Sequence, residues 1–213
     1  MVEKQIAERG VENKAVLDAM RAVPREMFVP EAAVEFAYED GPLDIEAGQT
    51  ISQPYVVALM AAALELSPRD RVLEIGAGSG YAAAVLSRVA AEVYAVERHA
   101  VLVDLARRRM KDLGYDNVHI FQGDGTLGCP EHAPYDAIVV SAGGPSVPDA
   151  LRAQLVIGGR LVIPVGATPP EQELVCVTRT GEHEYGQEDL GSVRFVPLIG
   201  MHGWGAQGWE DPT

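Results

Sequence analysis

Glu74-Ile75-Gly76-Ala77-Gly78-Ser79-Gly80-Tyr81 follows a β-branched run, Arg71-Val72-Leu73-Glu74-Ile75, and opens a stretch with helical spacing over 81–89. Three glycines at a strand-to-helix junction let the backbone approach a ligand closely. In an open α/β sheet, ligands settle outside the carboxyl ends of the strands, where the connections diverge. The octapeptide therefore reads as a cofactor turn rather than a plain tight turn. Its spacing narrows the ligand. A dinucleotide turn, G-x-G-x-x-G, would need a glycine at position 81, which is Tyr81. The third glycine comes one residue early, and the lysine of a G-x-x-x-x-G-K phosphate cradle is missing, so neither NAD nor ATP is favoured.

Working outward, strands are predicted over 71–75, 92–97, 118–121 and 135–140, with helices over 81–89 and from about 100 to 113 between the first three. A short helix near 149–154 precedes a strand over 160–164. This βαβαβ rhythm predicts an α/β fold, a doubly wound and mostly parallel sheet with helices on both faces. Beyond Gly166 the rhythm breaks. The runs 173–179 and 193–198 have no helix between them and are expected to be antiparallel edge strands.

Before the sheet lies a helical prelude. A helix over 2–9 ends at Gly10, and Asn13 can cap a second whose apolar positions Val16, Leu17, Met20 and Val23 recur at helical spacing until Pro24. Further on, Ser52 or Thr50 could cap a helix over 55–66. The expected plan is one domain over 1–200. It comprises a substrate-side segment (1–66), a cofactor-binding core (70–166) and C-terminal strands (167–200), followed by a Gly/Trp-rich tail (201–213). That tail is read either as a flap over the site or as a loose end.

With 213 residues and 47% apolar content, the chain suffices for one core. Its net charge of −14, with no cluster of bases, argues against a nucleic-acid partner. The longest apolar stretch, 56–64, is far short of the roughly 20 residues a membrane helix needs. With no apolar signal core at the N-terminus, a cytoplasmic location is expected. Cys129 and Cys176 show no C-x-x-C spacing and are expected to be buried thiols. The five histidines, His99, His119, His132, His183 and His202, lack ligand spacing, so no metal site is expected.

Two acids complete the cofactor reading. Glu97 ends the second strand, 21 residues after Gly76, where a carboxylate can accept both hydroxyl hydrogens of a ribose. Asp124 and Gly125 follow the third strand, Asp124 being either an adenine-side acid or a turn aspartate. After the fourth strand, Ser141-Ala142-Gly143-Gly144 leaves room for a substrate.

The Gly76-x-Gly78-x-Gly80 turn with Glu74 before it is similar to the first motif of class I S-adenosylmethionine-dependent methyltransferases. A narrower likeness follows from Gly48-Gln49-Thr50-Ile51-Ser52-Gln53-Pro54-Tyr55, which resembles the signature of protein-L-isoaspartate O-methyltransferases. Val23-Pro24-Arg25-Glu26-Met27-Phe28-Val29-Pro30, Gly123-Asp124-Gly125 and the run from Gly158 through Gly166 are similar too. The glycine turn identifies only the superfamily; the Thr-Ile-Ser-Gln-Pro stretch is specific. The resemblance implies a Rossmann-like fold and methyl transfer from S-adenosylmethionine to the α-carboxyl of L-isoaspartyl residues in damaged proteins and peptides. A monomer is expected.

Residue by residue, the resemblance implies Ser52 as the active-site serine and Ser52, Gln53, Pro54 and Tyr55 on the substrate side. It implies Thr50, Ile51, Gly76, Gly78, Gly80, Glu97, Asp124 and Gly125 around the cofactor. A carboxylate nucleophile with a pKa near 4 is already ionised at neutral pH, so no general base need be sought. Ser52 is expected to position it, with a helix cap as its plainer reading. Two alternatives stay open: a carboxyl or small-molecule O-methyltransferase of other substrate, and a non-catalytic cofactor-binding module. Tyr55 stands where some family members carry His, and Cys129 where many carry an aromatic residue.

Overall fold

The computed structural model describes residues 1–168 and 171–205. Asn13 starts the first α-helix, α1 (Lys14–Ala22), its side chain accepting from the Val16 N–H at 3.2 Å as the sequence predicts. Ahead of it, the expected helix over 2–9 is a π turn (Val2–Ile6) running into a 3-10 turn (Ala7–Arg9), closed by Gly10 at φ +97°. Residues 43–51 form a small hairpin, β1 (Leu43–Asp44) against β2 (Thr50–Ile51), and α2 (Pro54–Ala63) follows. Neither Ser52 nor Thr50 caps α2. Gln53 occupies the N-cap position without a side-chain bond, and Pro54, whose fixed φ suits a first helical turn, starts the helix. Thr50 is held in β2 instead, which leaves Ser52 in the short link between hairpin and helix.

The sheet then begins, with β3 (Arg71–Ile75), α3 (Tyr81–Leu86), β4 (Glu92–Glu97), α4 (Ala100–Leu113), β5 (Val118–Gln122), β6 (Tyr135–Val140), α5 (Asp149–Ala153) and β7 (Leu155–Thr168). β8 (Glu171–Arg179) and β9 (Tyr185–Val193) complete it. Strand order is β5-β4-β3-β6-β7-β8-β9, parallel from β5 to β7 and antiparallel at β7-β8-β9. From β3 the chain winds out through β4 to β5 and then returns to place β6 on the other side of β3. That reversal opens a crevice at the carboxyl end of β3.

Period-two alternation sends Val72, Val93, Ala95, Ala137 and Val139 into a core beneath α1–α4. Leu73, Ile75, Val96, Ile138 and Val140 face a second core closed by Leu151 of α5. Each valine, leucine or isoleucine among them contributes roughly 1.5–3 kcal/mol when fully buried, relative to exposure. The prelude docks beside the glycine turn. Arg25, wholly buried, donates from Nε to the Ala37 carbonyl at 2.8 Å and lies 4.8 Å over the ring of Tyr81, the first residue of α3. The Tyr81 hydroxyl in turn donates to Met20 Sδ of α1.

The C-terminal half departs from expectation. The edge strand is β9 at 185–193, not 193–198. Polar residues such as Gln187, Glu188 and Asp189 hide β9 from a reading by β-propensity, yet an edge strand with one solvated side tolerates them. Residues 194–198, apolar after Arg194, leave the sheet and cross the strand ends as a strap. Gly143 donates to the Val196 carbonyl and Leu198 to the Gly143 carbonyl, both at 2.8 Å. Among the described residues, no helix is long and apolar enough to cross a membrane and no group of His, Cys, Asp or Glu is placed to hold a metal. Both cysteines are free and buried.

Candidate active site

The turn after β3 is drawn tight by its neighbours. Gly76, Gly78 and Gly80 all take positive φ, a region that side chains disfavour. The Gly76 N–H donates to the Val96 carbonyl at 2.8 Å, and the Gly78 N–H to Glu97 Oε2 at 3.0 Å. The other oxygen of Glu97 accepts from the His99 N–H at 2.9 Å. Glu97 is buried at the end of β4, and a carboxylate offers about four lone-pair sites, so two donors leave capacity for two hydroxyls. Gly80 has a different job. A Cβ there would come within 2.8 Å of Met110 Cε, so the third glycine lets α4 pack against the turn, and it does not line the crevice.

One residue pair upstream sits Glu74, enclosed in the core beneath the turn. Burial, and next the charge of Glu97, push its carboxyl well above the usual carboxylate range, against a weaker pull from the Ala83 backbone. The two acids thus divide: Glu97 meets the crevice and Glu74 is driven toward its neutral form.

The crevice is lined by Ile75, Gly76, Gly78, Val96, Glu97, Gly125 and Ser141, together with Thr50 and the strap residues Val196 to Ile199. A side chain at Gly125 would strike Ile75 Cγ2 at 2.3 Å, so this glycine admits the close approach. Asp124 stands just outside. Its Oδ1 accepts from the Thr126 N–H at 2.9 Å and hydroxyl at 2.7 Å, and its Oδ2 from the Met201 N–H at 2.8 Å. Burial alone would raise its pKa, but these bonds outweigh it and hold the carboxyl below its ordinary value. Asp124 therefore caps the turn at 125–127 and tethers the chain's last described residues. Of the tail, residues 201–204 are tied down here, with Trp204 Nε1 donating to the Gly143 carbonyl at 2.9 Å. Positions 206–213, over which the flap was expected to extend, lie outside the described residues.

A second cavity of about 570 Å³ adjoins the crevice and shares Thr50, Ser141 and Val196 with it. It contains the predicted substrate-side residues Ser52, Gln53 and Tyr55. The hairpin sorts its two strand residues by alternation: Ile51 is buried in the core, whereas Thr50 on the opposite side lines both cavities. Pro54 is buried at the start of α2. The Ser52 hydroxyl bonds to no described residue and is free to donate. Gln53 Nε2 donates to the Asp40 carbonyl at 3.2 Å, and the Tyr55 ring lies 3.5 Å beneath the Arg9 guanidinium.

Sequence reasoning assigned no role to Val196, which it placed in an edge strand, nor to Arg9 and Arg194. Ser141 drew notice only as a small residue. The signal lay in Gly143-Gly144, whose bare backbone accepts the strap as a pairing partner and whose first glycine has a Gln172 amide 2.3 Å from where a Cβ would sit.

A family model described as protein-L-isoaspartate(D-aspartate) O-methyltransferase matches residues 1–203. The chain belongs to this family. It is 62% identical over 204 residues to protein-L-isoaspartate O-methyltransferase 2 of Pelobacter propionicus, covering 96% of this chain and 91% of that one. It is 60% identical over the same length to the Rhodopseudomonas palustris enzyme, covering 96% and 94%. Among solved structures, a protein-L-isoaspartate O-methyltransferase superposes with TM-score 0.86 at 33% identity, over 95% of this chain and 67% of that one. A Plasmodium falciparum protein of the same description, solved with S-adenosyl-L-homocysteine, gives 0.79 at 26% identity, over 93% and 96%.

The family depends on S-adenosylmethionine, and the crevice fits that group. Its turn has no lysine or phosphate cradle, the cofactor has no phosphate, a diol acceptor is in place at Glu97, and the walls Ile75, Val96 and Leu198 are apolar.

Proposed function

We propose that this chain methylates the free α-carboxylate of L-isoaspartyl residues in damaged proteins and peptides, with Ser52 as the positioning hydroxyl. The observation that carries this reading is the common wall of the two cavities: Thr50, Ser141 and Val196 belong to both, so an anion in the peptide cavity meets whatever occupies the crevice at that wall. When bound, S-adenosylmethionine supplies an electrophilic methyl group on a positively charged sulfur.

The chain's own work is placement. Gly76 and Gly78 would lie along the methionine portion, Glu97 would accept from the ribose hydroxyls, and Gly125 would give the adenine side room. Ser52 would donate to one oxygen of the substrate carboxylate and leave the other free to react. A hydroxyl suits this better than a cation, since it fixes the nucleophile without holding its electron pair in a full ion pair. The apolar wall formed by half-buried Val56 and Leu59 and by buried Phe195 strips water from the anion, and holding two reactants in line replaces an encounter that would otherwise be slow. No general base is called for, because the nucleophile is ionised at neutral pH. In the ester product the backbone nitrogen of the following residue then attacks the ester carbonyl without the enzyme, methanol leaves as the succinimide closes, and hydrolysis of that ring partly restores the normal linkage.

The test is incubation with methyl-labelled S-adenosylmethionine and paired peptides that differ only in an isoaspartyl or aspartyl residue. Base-labile label on the isoaspartyl peptide alone is expected. Equal label on both, or none on either, would overturn the reading.

A further inference from the structure

The peptide cavity reverses the charge of the molecule around it. The chain has 31 acidic and 17 Lys and Arg residues, yet no aspartate or glutamate lines this cavity and two arginines, Arg9 and Arg194, do. Arg9 is already engaged: its guanidinium pairs with Asp40 at 2.6 Å and lies on the Tyr55 ring. Arg194 makes no ion pair with any described residue. Its backbone position is nonetheless fixed, because the next residue, Phe195, donates its N–H to Gln172 Oε1 at 2.8 Å and accepts from Gln172 Nε2 at 3.1 Å. Arg194 therefore presents an uncompensated cation at a set place. It is solvent-exposed and lines only the peptide cavity, whereas Thr50 and Ser141, at the wall shared with the cofactor crevice, are half-buried.

We propose that Arg194 is a specificity-determining residue that favours isoaspartyl segments carrying an acidic side chain next to the reactive residue. The inference rests on the isoaspartyl reading above. The reactive carboxylate is a poor partner for this guanidinium, since an ion pair would hold the electrons that must attack, and Arg194 stands toward solvent rather than at the shared wall. A neighbouring Asp or Glu side chain has no such conflict. It also needs a local cation to offset the repulsion that an anionic peptide meets from a chain of net charge −14. A charge at the rim of a binding surface acts mainly on capture and on choice of partner.

The experiment uses the full chain and three isoaspartyl peptides that are identical except for Glu, Gln or Lys beside the isoaspartyl residue. For the unmodified protein, kcat/KM is expected to fall in the order Glu, Gln, Lys. Each step is about three- to fivefold, the strength of an exposed ion pair, carried by KM and shrinking with added salt. Arg194→Glu should invert the order, Arg194→Gln should flatten it, and Arg194→Lys should keep it. An unchanged ratio of Glu to Lys peptides in Arg194→Glu would overturn the proposal, as would equal use of all three peptides by the unmodified protein. Failure of the unmodified protein to methylate even the Gln peptide would instead sink the isoaspartyl reading. Calorimetric binding of S-adenosylhomocysteine to each variant confirms that it is folded, so a shifted ratio reports charge.

Discussion

The cofactor crevice and the peptide cavity share three residues but are built in different ways. The crevice is made of strand ends: β3 supplies the glycine turn, β4 supplies Glu97, Ser141 directly follows β6, and parallel pairing sets their spacing. The peptide cavity is gathered from the prelude, the β1-β2 hairpin, the start of α2, the edge strand β9 and the strap, segments that meet only when the chain is folded. Hydrogen bonds within the sheet fix the first site, and contacts between segments remote in sequence fix the second. The first should therefore fail by losing affinity, and the second by losing turnover or selectivity.

The sharpest way to break that contrast is Glu97→Ala. It removes the acceptor of the Gly78 and His99 N–H groups together with the proposed ribose contacts. At about 1.5–3 kcal/mol for each hydrogen bond to a charged group, affinity for S-adenosylhomocysteine should fall about a hundredfold or more by calorimetry. A loss below about threefold would mean that the turn holds the ligand without its acid.

Ser52→Ala probes the other side. Its expected effect is smaller, a drop of roughly ten- to a hundredfold in kcat from the loss of one hydrogen bond to an anion, with the cofactor dissociation constant changed less than about threefold. Unaltered turnover would remove Ser52 from the mechanism, and a parallel loss of cofactor affinity would show that the two sites are not separable.

The mildest change is Glu74→Gln, which refines the picture of the crevice's foundation. Burial, followed by repulsion from Glu97, raises the folded-state pKa of Glu74. The folded chain thus keeps this proton over a pH range in which the unfolded chain releases it. The unfolded state binds fewer protons there, and stability falls as pH rises from the ordinary glutamic acid value to the raised one. An amide carries no such cost, so urea unfolding midpoints of the variant should gain on those of the unmodified protein across that window and run parallel outside it. Curves parallel throughout would mean that Glu74 titrates alike in both states.

The parallel strands, the positions of α1 and α4 and the glycine turn were legible because each rests on a local periodicity or a local conformational need. Val72 and Leu73 alternate between cores, Asn13 caps where its short side chain can reach back, and Gly76 and Gly78 sit where a positive φ is required. The strap was not legible. The run 193–198, with Val193, Phe195, Val196 and Leu198, has the look of a strand, and most of β9 lacks it; only the register with β8 and the bare backbone at Gly143 settle which segment pairs with the sheet. Ser52 illustrates the same limit on a smaller scale. Its residue type permits a helix cap, but Gln53 takes the N-cap position and Pro54 opens α2.

What the amino-acid order settled by itself is the kind of cofactor turn and the acid that faces it, since spacing along one strand-turn-helix unit is a property of the chain. The tertiary structure alone decided that Val196 and Arg194 complete the peptide cavity. Their placement depends on a crossing of the strand ends that is stabilised by hydrogen bonds to Gly143 and Gln172, residues far away in sequence whose nearness exists only after folding.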